Sequence, residues 1–325
     1  MGMHAQDAVG ESVDPYWDDR YGNDTEPVQT EPVLIGGRAT MPRIVKQTTK
    51  KTKRPAGLAS RVKPLGTFNP YLKINLYGRS GTGKTTLWGT FPGPILALIC
   101  SSLKDPGELL SLNTPEYRKK IKCVTLETSA DIGEVPELVA SGGYKTVVLD
   151  HATGLQELLL KEVLGLEEVP QQLSWGIAKQ QDWGKVALQA KTRLKQLLDL
   201  ESNVVIVAQE REFSPGDENE LVVAPYVASA LTPSVVGWLN PACNYICETF
   251  IRRKVVYTEQ RTKVGGKVKV KQVARRTDDV EYCLRTGADD VYTIKFRVPK
   301  GSILPKIIVD PTYEKIRAVI AGQSS

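Results

Sequence analysis

The sequence has few histidines and cysteines, and this shortage argues against a structural zinc site. It contains two histidines and five cysteines, without a C-x-x-C pair. Structural zinc needs several ligands of these types at short spacings. An odd number of scattered cysteines is instead typical of buried thiols in a reducing compartment.

Long apolar runs are also missing. No stretch approaches the roughly 18 apolar residues that a membrane-spanning helix needs, and residues 1–31 contain no apolar signal-peptide core. We therefore expect no membrane association and predict a cytoplasmic protein. The hydrophobic content of 41% is enough for a substantial core in one large domain or two modest ones.

The first part of the chain carries charge without apolar periodicity. Residues 1–31 hold eight acidic residues and one arginine, whereas residues 38–63 hold nine basic residues and no acid. This composition predicts disorder. The basic half either contacts nucleic-acid phosphates or is a solvated tail that the acidic half partly neutralises. We predict a tail over 1–68, a core over 69–242 and a β-rich extension over 243–325.

The most informative stretch runs from Gly78 to Thr85 and satisfies the phosphate-binding P-loop pattern G-x-x-x-x-G-K-[ST]. Glycines let backbone N–H groups wrap a polyphosphate, and the positive end of the following helix adds to that field. We expect Lys84 to reach the β- and γ-phosphates and the Thr85 hydroxyl to bind Mg²⁺. The predicted nucleotide-binding residues are Gly78, Arg79, Ser80, Gly81, Thr82, Gly83, Lys84, Thr85 and Thr86.

The flanking patterns fit this motif. Residues 72–77 read as a strand that enters the loop, and residues 85–91 as a helix that leaves it. The apolar strand predicted over 144–150 ends at Asp150, whose carboxylate we expect to order Mg²⁺. Another buried strand covers 203–210. Strands that alternate with helices predict an α/β fold, a mainly parallel sheet flanked by helices, with the ligand beyond the carboxyl ends of the strands.

The last part of the chain reads as strands and a closing helix. We predict strands over 244–256 and 291–298, and a hairpin over 261–271 around a Gly-Gly pair. Residues 252–276 contain ten basic side chains and one acid. This ridge is either a track for nucleic-acid phosphates or an edge hairpin whose lysines prevent aggregation. The candidate DNA-binding residues are Arg252, Arg253, Lys254, Lys267, Lys269 and Lys271.

Several segments resemble the P-loop AAA domain nucleotide-binding proteins of bacteriophages, a group that includes RecA-like single-strand annealing proteins. These segments are 76–87, 147–158, 181–186, 207–210, 233–239 and 292–297. The resemblance covers about residues 70–320 and implies a RecA-like core. It also implies an ATPase that uses ATP and Mg²⁺ on single-stranded DNA, forms a ring or filament of identical subunits, and has a single-strand-binding protein as a possible partner.

The resemblance also implies roles for particular residues. Gln209 would sense the γ-phosphate, and the loop over 211–226 would bind DNA; the alternative for Gln209 is an amide that caps a buried strand end. Lys295 or Arg297 would be the cation that reaches a neighbouring subunit's nucleotide.

Two positions depart from the family pattern. RecA-like enzymes carry an acid after the strand that follows the P-loop helix, whereas residues 100–102 here are Cys-Ser-Ser. Either Asp105 or Glu108 activates water, or hydrolysis is slow. His151 stands where a small hydroxyl residue is more usual, and a structural histidine is favoured there over a catalytic one.

Other function classes stay open. A helicase, helicase loader or packaging ATPase would share the nucleotide site. However, a packaging enzyme needs a nuclease domain with clustered carboxylates and a loader needs a helical lid, and residues 240–325 read as basic strands. A nucleotide-dependent switch would use the basic hairpin to bind an acidic protein. A small-molecule kinase would require a lid, which the pattern does not show.

Overall fold

The structure is a computed structural model that describes residues 62, 64, 71–100, 107–166, 178–214, 225–264 and 267–323, with the backbone alone at 107–108, 261–264 and 267–269. The predicted tail therefore lies almost wholly outside the described residues. The described residues from 64 to 323 belong to one compact unit. The boundary predicted near residue 242 falls inside this unit.

The described chain contains ten strands and seven α-helices. The strands are β1 Lys73–Gly78, β2 Ile95–Ile99, β3 Ile121–Thr125, β4 Thr146–Asp150, β5 Asn203–Ala208, β6 Glu210–Phe213, β7 Tyr226–Ser229, β8 Tyr245–Val264, β9 Lys267–Arg285 and β10 Ile307–Val309. The helices are α1 Lys84–Gly89, α2 Pro115–Lys120, α3 Val135–Gly142, α4 Ala152–Leu164, α5 Gln180–Leu198, α6 Pro233–Ala242 and α7 Tyr313–Ile320. Two 3₁₀ helices cover Gly107–Leu112 and Ser129–Glu134.

Eight strands form one sheet in the order β10-β9-β8-β1-β5-β4-β2-β3. The six strands from β8 to β3 are parallel, whereas β9 and β10 are joined by antiparallel pairing. The predicted fold class, a mainly parallel sheet with helices and a C-terminal antiparallel extension, is confirmed. Because β1 and its neighbours run in the same direction, their carboxyl ends meet at one edge of the sheet.

The core lies on both faces of the sheet. Alternate residues of β5 show this arrangement: Val204 and Ile206 pack in a cluster with α4, α5 and α6, while Val205 and Val207 pack with α1 and α7. The continuous apolar run of this strand is therefore explained by burial on both sides.

Strand β1 is also buried on both faces, although its sequence alternates apolar and polar residues. The polar side chains are satisfied by hydrogen bonds. Lys73 Nζ donates to the carbonyl oxygens of Leu200 and Ser202, and the amide of Asn75 bonds to Asn240 and Ser229. Burial lowers the pKa of Lys73 to about 8.

The structure corrects two predictions for the C-terminal part. The hairpin is much longer than residues 261–271, since β8 and β9 pair continuously from Glu248 outward apart from one bulge. The segment 291–298 is not a strand and makes only isolated bridges, through Tyr292 and Lys295. The reason is that β1 and β9 occupy the two edges of β8, leaving only its first residues for this segment.

Among the described residues, no helix is long and apolar enough to cross a membrane. Nor does any group of three His, Cys, Asp or Glu residues in these parts form a metal cage. The cysteines are all free thiols. Four of them are buried as predicted, whereas Cys123 is exposed, because β3 is the edge strand of the sheet.

Candidate nucleotide-binding site

The P-loop joins the carboxyl end of β1 to the start of α1. Three of its glycines have positive φ: 153° at Gly78, 78° at Gly81 and 88° at Gly83. A Cβ at Gly78 would lie 2.3 Å from the carbonyl oxygen of Thr249, and one at Gly83 would lie 3.1 Å from the Tyr282 ring. Both the backbone conformation and the close neighbours therefore require glycine.

Lys84 is held inside the arc of this loop. Its Nζ donates to the carbonyl oxygens of Gly78 and Arg79, at 2.7 Å each, and the residue is buried. The ammonium is thus fixed against the backbone of the loop, and its contact with the β- and γ-phosphates stays a prediction.

Asp150 ends β4 directly beside the first turn of α1. Its Oδ2 accepts a hydrogen bond from Thr85 Oγ1 at 3.5 Å and from the indole Nε1 of Trp88 at 2.9 Å. A hydroxyl and a carboxylate at this distance are oxygen ligands of the kind that Mg²⁺ takes alongside substrate phosphates. These residues therefore fit the predicted metal position without a protein cage.

Gln209 and His151 line the same region. Gln209 follows β5, its carbonyl accepts from the Ala230 N–H at 2.7 Å, and its N–H lies 3.4 Å from Thr153 Oγ1. The imidazole Nδ1 of His151 accepts the Gly154 N–H at 2.8 Å and so caps α4. The contacts of His151 support the structural interpretation, and the sensing role of Gln209 stays a prediction.

These residues surround a cleft of about 520 Å³. It is lined by the P-loop, by the ends of β4 and β5, and by residues of the C-terminal strands that the sequence did not suggest. The lining residues beyond the P-loop and α1 are Ser111, Asp150, His151, Gln209, Tyr282, Asp310 and Pro311.

The acid that would activate water is not located. Asp105 and the side chain of Glu108 lie outside the described part of the chain. Cys100 stands at the end of β2, and burial raises the pKa of its thiol to about 12. It is therefore protonated near neutral pH and cannot act as the base.

A second small niche lies beside the P-loop and carries paired charges. Arg79 Nε donates to Glu210 Oε1 at 2.7 Å, and Arg285 Nε donates to Glu248 Oε2 at 2.6 Å. Burial raises the pKa of Glu248, against the opposing effect of Arg285. The Arg285 guanidinium also lies 4.2 Å from the ring centroid of Tyr292. The first pair joins the P-loop to β6, and the second joins β9 to β8.

Lys295 and Arg297 are not brought to the cleft. Lys295 Nζ donates to three carbonyl oxygens at the end of α6, those of Asn240, Pro241 and Cys243. These bonds lie near the start of β8, at the opposite end of β1 from the P-loop. Because its ammonium caps a helix of its own chain, Lys295 is the weaker candidate for a cation that acts on a neighbour. Arg297 is exposed, and its predicted role stays a prediction.

The candidate DNA-binding residues all lie on the long hairpin. Arg252 pairs with Glu281 at 2.9 Å and Arg253 lies 4.0 Å from Asp278, whereas Lys254 and Lys271 are exposed. Lys267 and Lys269 are described by their backbone pairing with β8 alone.

Sequence reasoning missed the contacts that come from distant parts of the chain. Trp88 lies in a predicted helix, but nothing in the pattern shows that its N–H reaches Asp150. Thr249 Oγ1 lies 2.7 Å from Thr82 Oγ1, across 167 sequence positions. The Thr249 contact follows from the pairing of β8 with β1, for which there is no local signal.

A comparison with protein families agrees with this geometry. The AAA domain family matches residues 71–270, more than half of the chain, and no curated protein matches. Among solved structures, the KaiC-like protein PH0186 from the archaeon Pyrococcus horikoshii OT3 is 15% identical, has a TM-score of 0.32, and is matched over 73% of this chain and 88% of its own. That structural similarity is too low to assign a function. The family match, together with the P-loop at the edge of a parallel sheet, shows that this chain belongs to the AAA domain family.

Proposed function

We propose that the protein is an ATP-hydrolysing enzyme that acts on single-stranded DNA in recombination or replication, by annealing or strand exchange. The main observation in support of ATP hydrolysis is that Thr85 Oγ1, at the start of α1, lies 3.5 Å from Asp150 Oδ2. Two oxygen ligands and a lysine-containing glycine loop are among the parts that magnesium-dependent phosphoryl transfer requires.

Each residue of the site has a defined task. When bound, Mg²⁺ supplies positive charge to the β- and γ-phosphate oxygens. Thr85 and Asp150 would hold the metal, and Lys84 would neutralise negative charge on the β- and γ-phosphates. Gln209, at the end of the strand between β1 and β4, lines the same cleft, which supports its proposed role as the sensor of the γ-phosphate.

The DNA half of the proposal depends on the hairpin of β8 and β9. Lys254, Lys271, Arg275 and Arg276 are exposed on it, and Tyr257, which the register puts on the same face as Arg276, is 66% exposed. Exposed cations bind phosphates, and an exposed aromatic ring stacks on bases without sequence preference. This combination fits single-stranded DNA better than duplex DNA, whose bases are already stacked.

Assembly into a ring or filament belongs to the same proposal. It would let Arg297 of one subunit reach the nucleotide of the next, as trans-acting cations do, and a single-strand-binding protein is a further candidate partner. Light scattering with ATP, Mg²⁺ and DNA measures the assembly directly; a monomer under all conditions would contradict it.

The proposal is tested by the ATPase rate with and without single-stranded DNA, combined with a salt titration of DNA binding. We expect stimulation by DNA and a steep fall in affinity with salt. Single-stranded and duplex oligonucleotides of equal length form the matched comparison.

Other outcomes favour other functions. Nucleotide-driven unwinding of a duplex indicates a helicase. ATP hydrolysis without any DNA affinity at low salt indicates a switch whose hairpin binds an acidic protein. Absence of ATP binding in the presence of Mg²⁺ contradicts the whole proposal.

A further inference from the structure

The cleft at the P-loop has two chemically different ends. At one end lie Asp150, the last residue of β4, and Gln209, which follows β5. At the other end lie Tyr282 of β9 and Asp310, which follows β10. Since the sheet places β4 and β5 on one side of β1 and β9 and β10 on the other, the two ends face each other across the P-loop.

This arrangement fixes the direction of a bound nucleotide. If the γ-phosphate and metal lie at Asp150 and Gln209, the nucleoside extends toward β9 and β10. We propose that Tyr282 stacks on the nucleobase and that Asp310 accepts hydrogen bonds from the ribose hydroxyls. This inference rests on the proposed ATP site and assigns its nucleoside end.

Tyr282 has the position and exposure for stacking. Its ring lies against Gly83, where an added Cβ would be 3.1 Å from Cδ1, so it stands beside the first turn of α1. The residue is nevertheless 45% exposed, and so is its cross-strand partner Ile251, at 49%. A base placed here would cover an aromatic surface that is otherwise in water, and every base offers a π-face for this contact.

Asp310 is held next to Tyr282 by the backbone. Its N–H donates to the Tyr282 carbonyl oxygen at 2.7 Å, and its own φ is 47°. Lys315 Nζ donates to the carbonyl oxygens of Val309 and Asp310, at 2.8 and 2.9 Å. The two candidate residues therefore keep a fixed relation to each other.

The charge of Asp310 decides which part of a nucleotide it faces. An ionised carboxylate only accepts hydrogen bonds and repels phosphate. Its place at the end of the cleft away from Asp150 thus suits a neutral sugar with hydroxyl donors. The phosphates are left to the P-loop and Lys84.

The first experiment compares ATP with inorganic tripolyphosphate, both with Mg²⁺, by calorimetry on the full chain. For Tyr282→Ala we expect ATP affinity to fall about 5- to 150-fold, the range of one base–aromatic contact, with tripolyphosphate affinity unchanged. Tyr282→Phe keeps the ring and should bind ATP like the wild type. Equal losses for both ligands, or no loss for ATP, would overturn the stacking role.

The second experiment tests the carboxylate. Asp310→Gly removes it while allowing the left-handed backbone that this position adopts. We expect the wild type to prefer ATP over 2′,3′-dideoxy-ATP and the variant to lose that preference. A preference that persists in Asp310→Gly, or is absent from the wild type, overturns the ribose contact. A wild type that binds neither ATP nor tripolyphosphate overturns the proposed function itself, which is a different result.

Discussion

At the scale of single residues, the site depends on one carboxylate oxygen with two donors. Asp150 Oδ2 accepts from Trp88 Nε1, which is fully buried, and from Thr85 Oγ1, which faces the loop. The shorter indole bond fixes the orientation of the carboxylate, so that the same oxygen is presented to the metal position. Trp88 is thus a positioning residue for Asp150.

Replacing Trp88 with Phe should weaken the Mg²⁺-dependent part of ATP binding. The phenylalanine ring would keep most of the apolar packing. The variant loses the hydrogen bond to the Asp150 carboxylate, and a hydrogen bond to a charged group has a net value of about 1.5–3 kcal/mol. We expect ATP affinity measured by calorimetry to fall severalfold with Mg²⁺ and to change little in EDTA. An equal loss of ATP affinity with Mg²⁺ and in EDTA would mean that Trp88 acts by packing alone.

Lys84→Ala should abolish productive nucleotide binding. The variant removes the ammonium that lies on the carbonyls of Gly78 and Arg79, and with it the main positive side chain of the loop. Lys254→Ala is a matched control, because Lys254 is an exposed lysine on the hairpin. Calorimetry with ATP and Mg²⁺ should show no heat for Lys84→Ala and normal heat for the control, with circular dichroism unchanged in both. Normal ATP binding by Lys84→Ala would contradict the assignment of the loop.

At the scale of elements, the hairpin of β8 and β9 combines a buried root with an exposed arm. Near the root, Cys247 and Leu284 belong to the core, whereas Lys271 and Tyr257 further out are exposed. An arm of this kind makes few contacts with its own unit. The exposed arm is therefore available to bind a partner, and its basic side chains favour one that carries phosphates.

Reversing the charges of Lys267, Lys269 and Lys271 to Glu should weaken single-stranded DNA binding for every sequence. Each phosphate contact contributes about 0.7 to the logarithmic salt slope, so three lost contacts should lower the slope by about 2. The matched control reverses the charges of three exposed lysines outside the hairpin and gives the same net charge. These lysines are Lys119, Lys122 and Lys300. Equal losses in the two variants would show that only total charge matters.

At the scale of the whole molecule, the root of the hairpin is in direct contact with the P-loop. Thr249 in β8 hydrogen-bonds Thr82 at 2.7 Å, and Tyr282 in β9 lies against Gly83. If DNA binds the arm and a nucleotide binds the cleft, as proposed, these root contacts connect the two sites. By linkage, any effect of ATP on DNA affinity must equal the effect of DNA on ATP affinity.

Thr249→Val should reduce this coupling and leave each ligand able to bind alone. Valine keeps the shape of threonine, and Thr82 retains its second bond, to the Arg79 carbonyl at 2.8 Å. We expect the change in DNA affinity on adding ATP, about 5- to 150-fold for typical coupling, to shrink toward one. Thr258→Val, an exposed change further along the arm, is the control and should keep full coupling. Unchanged coupling in Thr249→Val would show that this bond does not transmit it.

Much of the fold and the phosphate end of the site could be predicted from local patterns. The P-loop needs glycines at fixed spacings, β5 needs a continuous apolar run because both its faces are buried, and Asp150 stands at the end of such a run. Parallel strands then bring Gly78, Asp150 and Gln209 to one edge. These features depend on short segments, and the sequence alone determined them.

Other features were decided only by tertiary structure. The position of β8 beside β1 puts Thr249 on the P-loop, and the register of β9 puts Tyr282 over Gly83. Folding likewise brings Lys295 to the three carbonyls at the end of α6. These contacts join residues more than 50 positions apart. Their formation depends on strand order and register, which no short segment specifies, and for that reason the nucleoside end of the cleft became visible only in the folded chain.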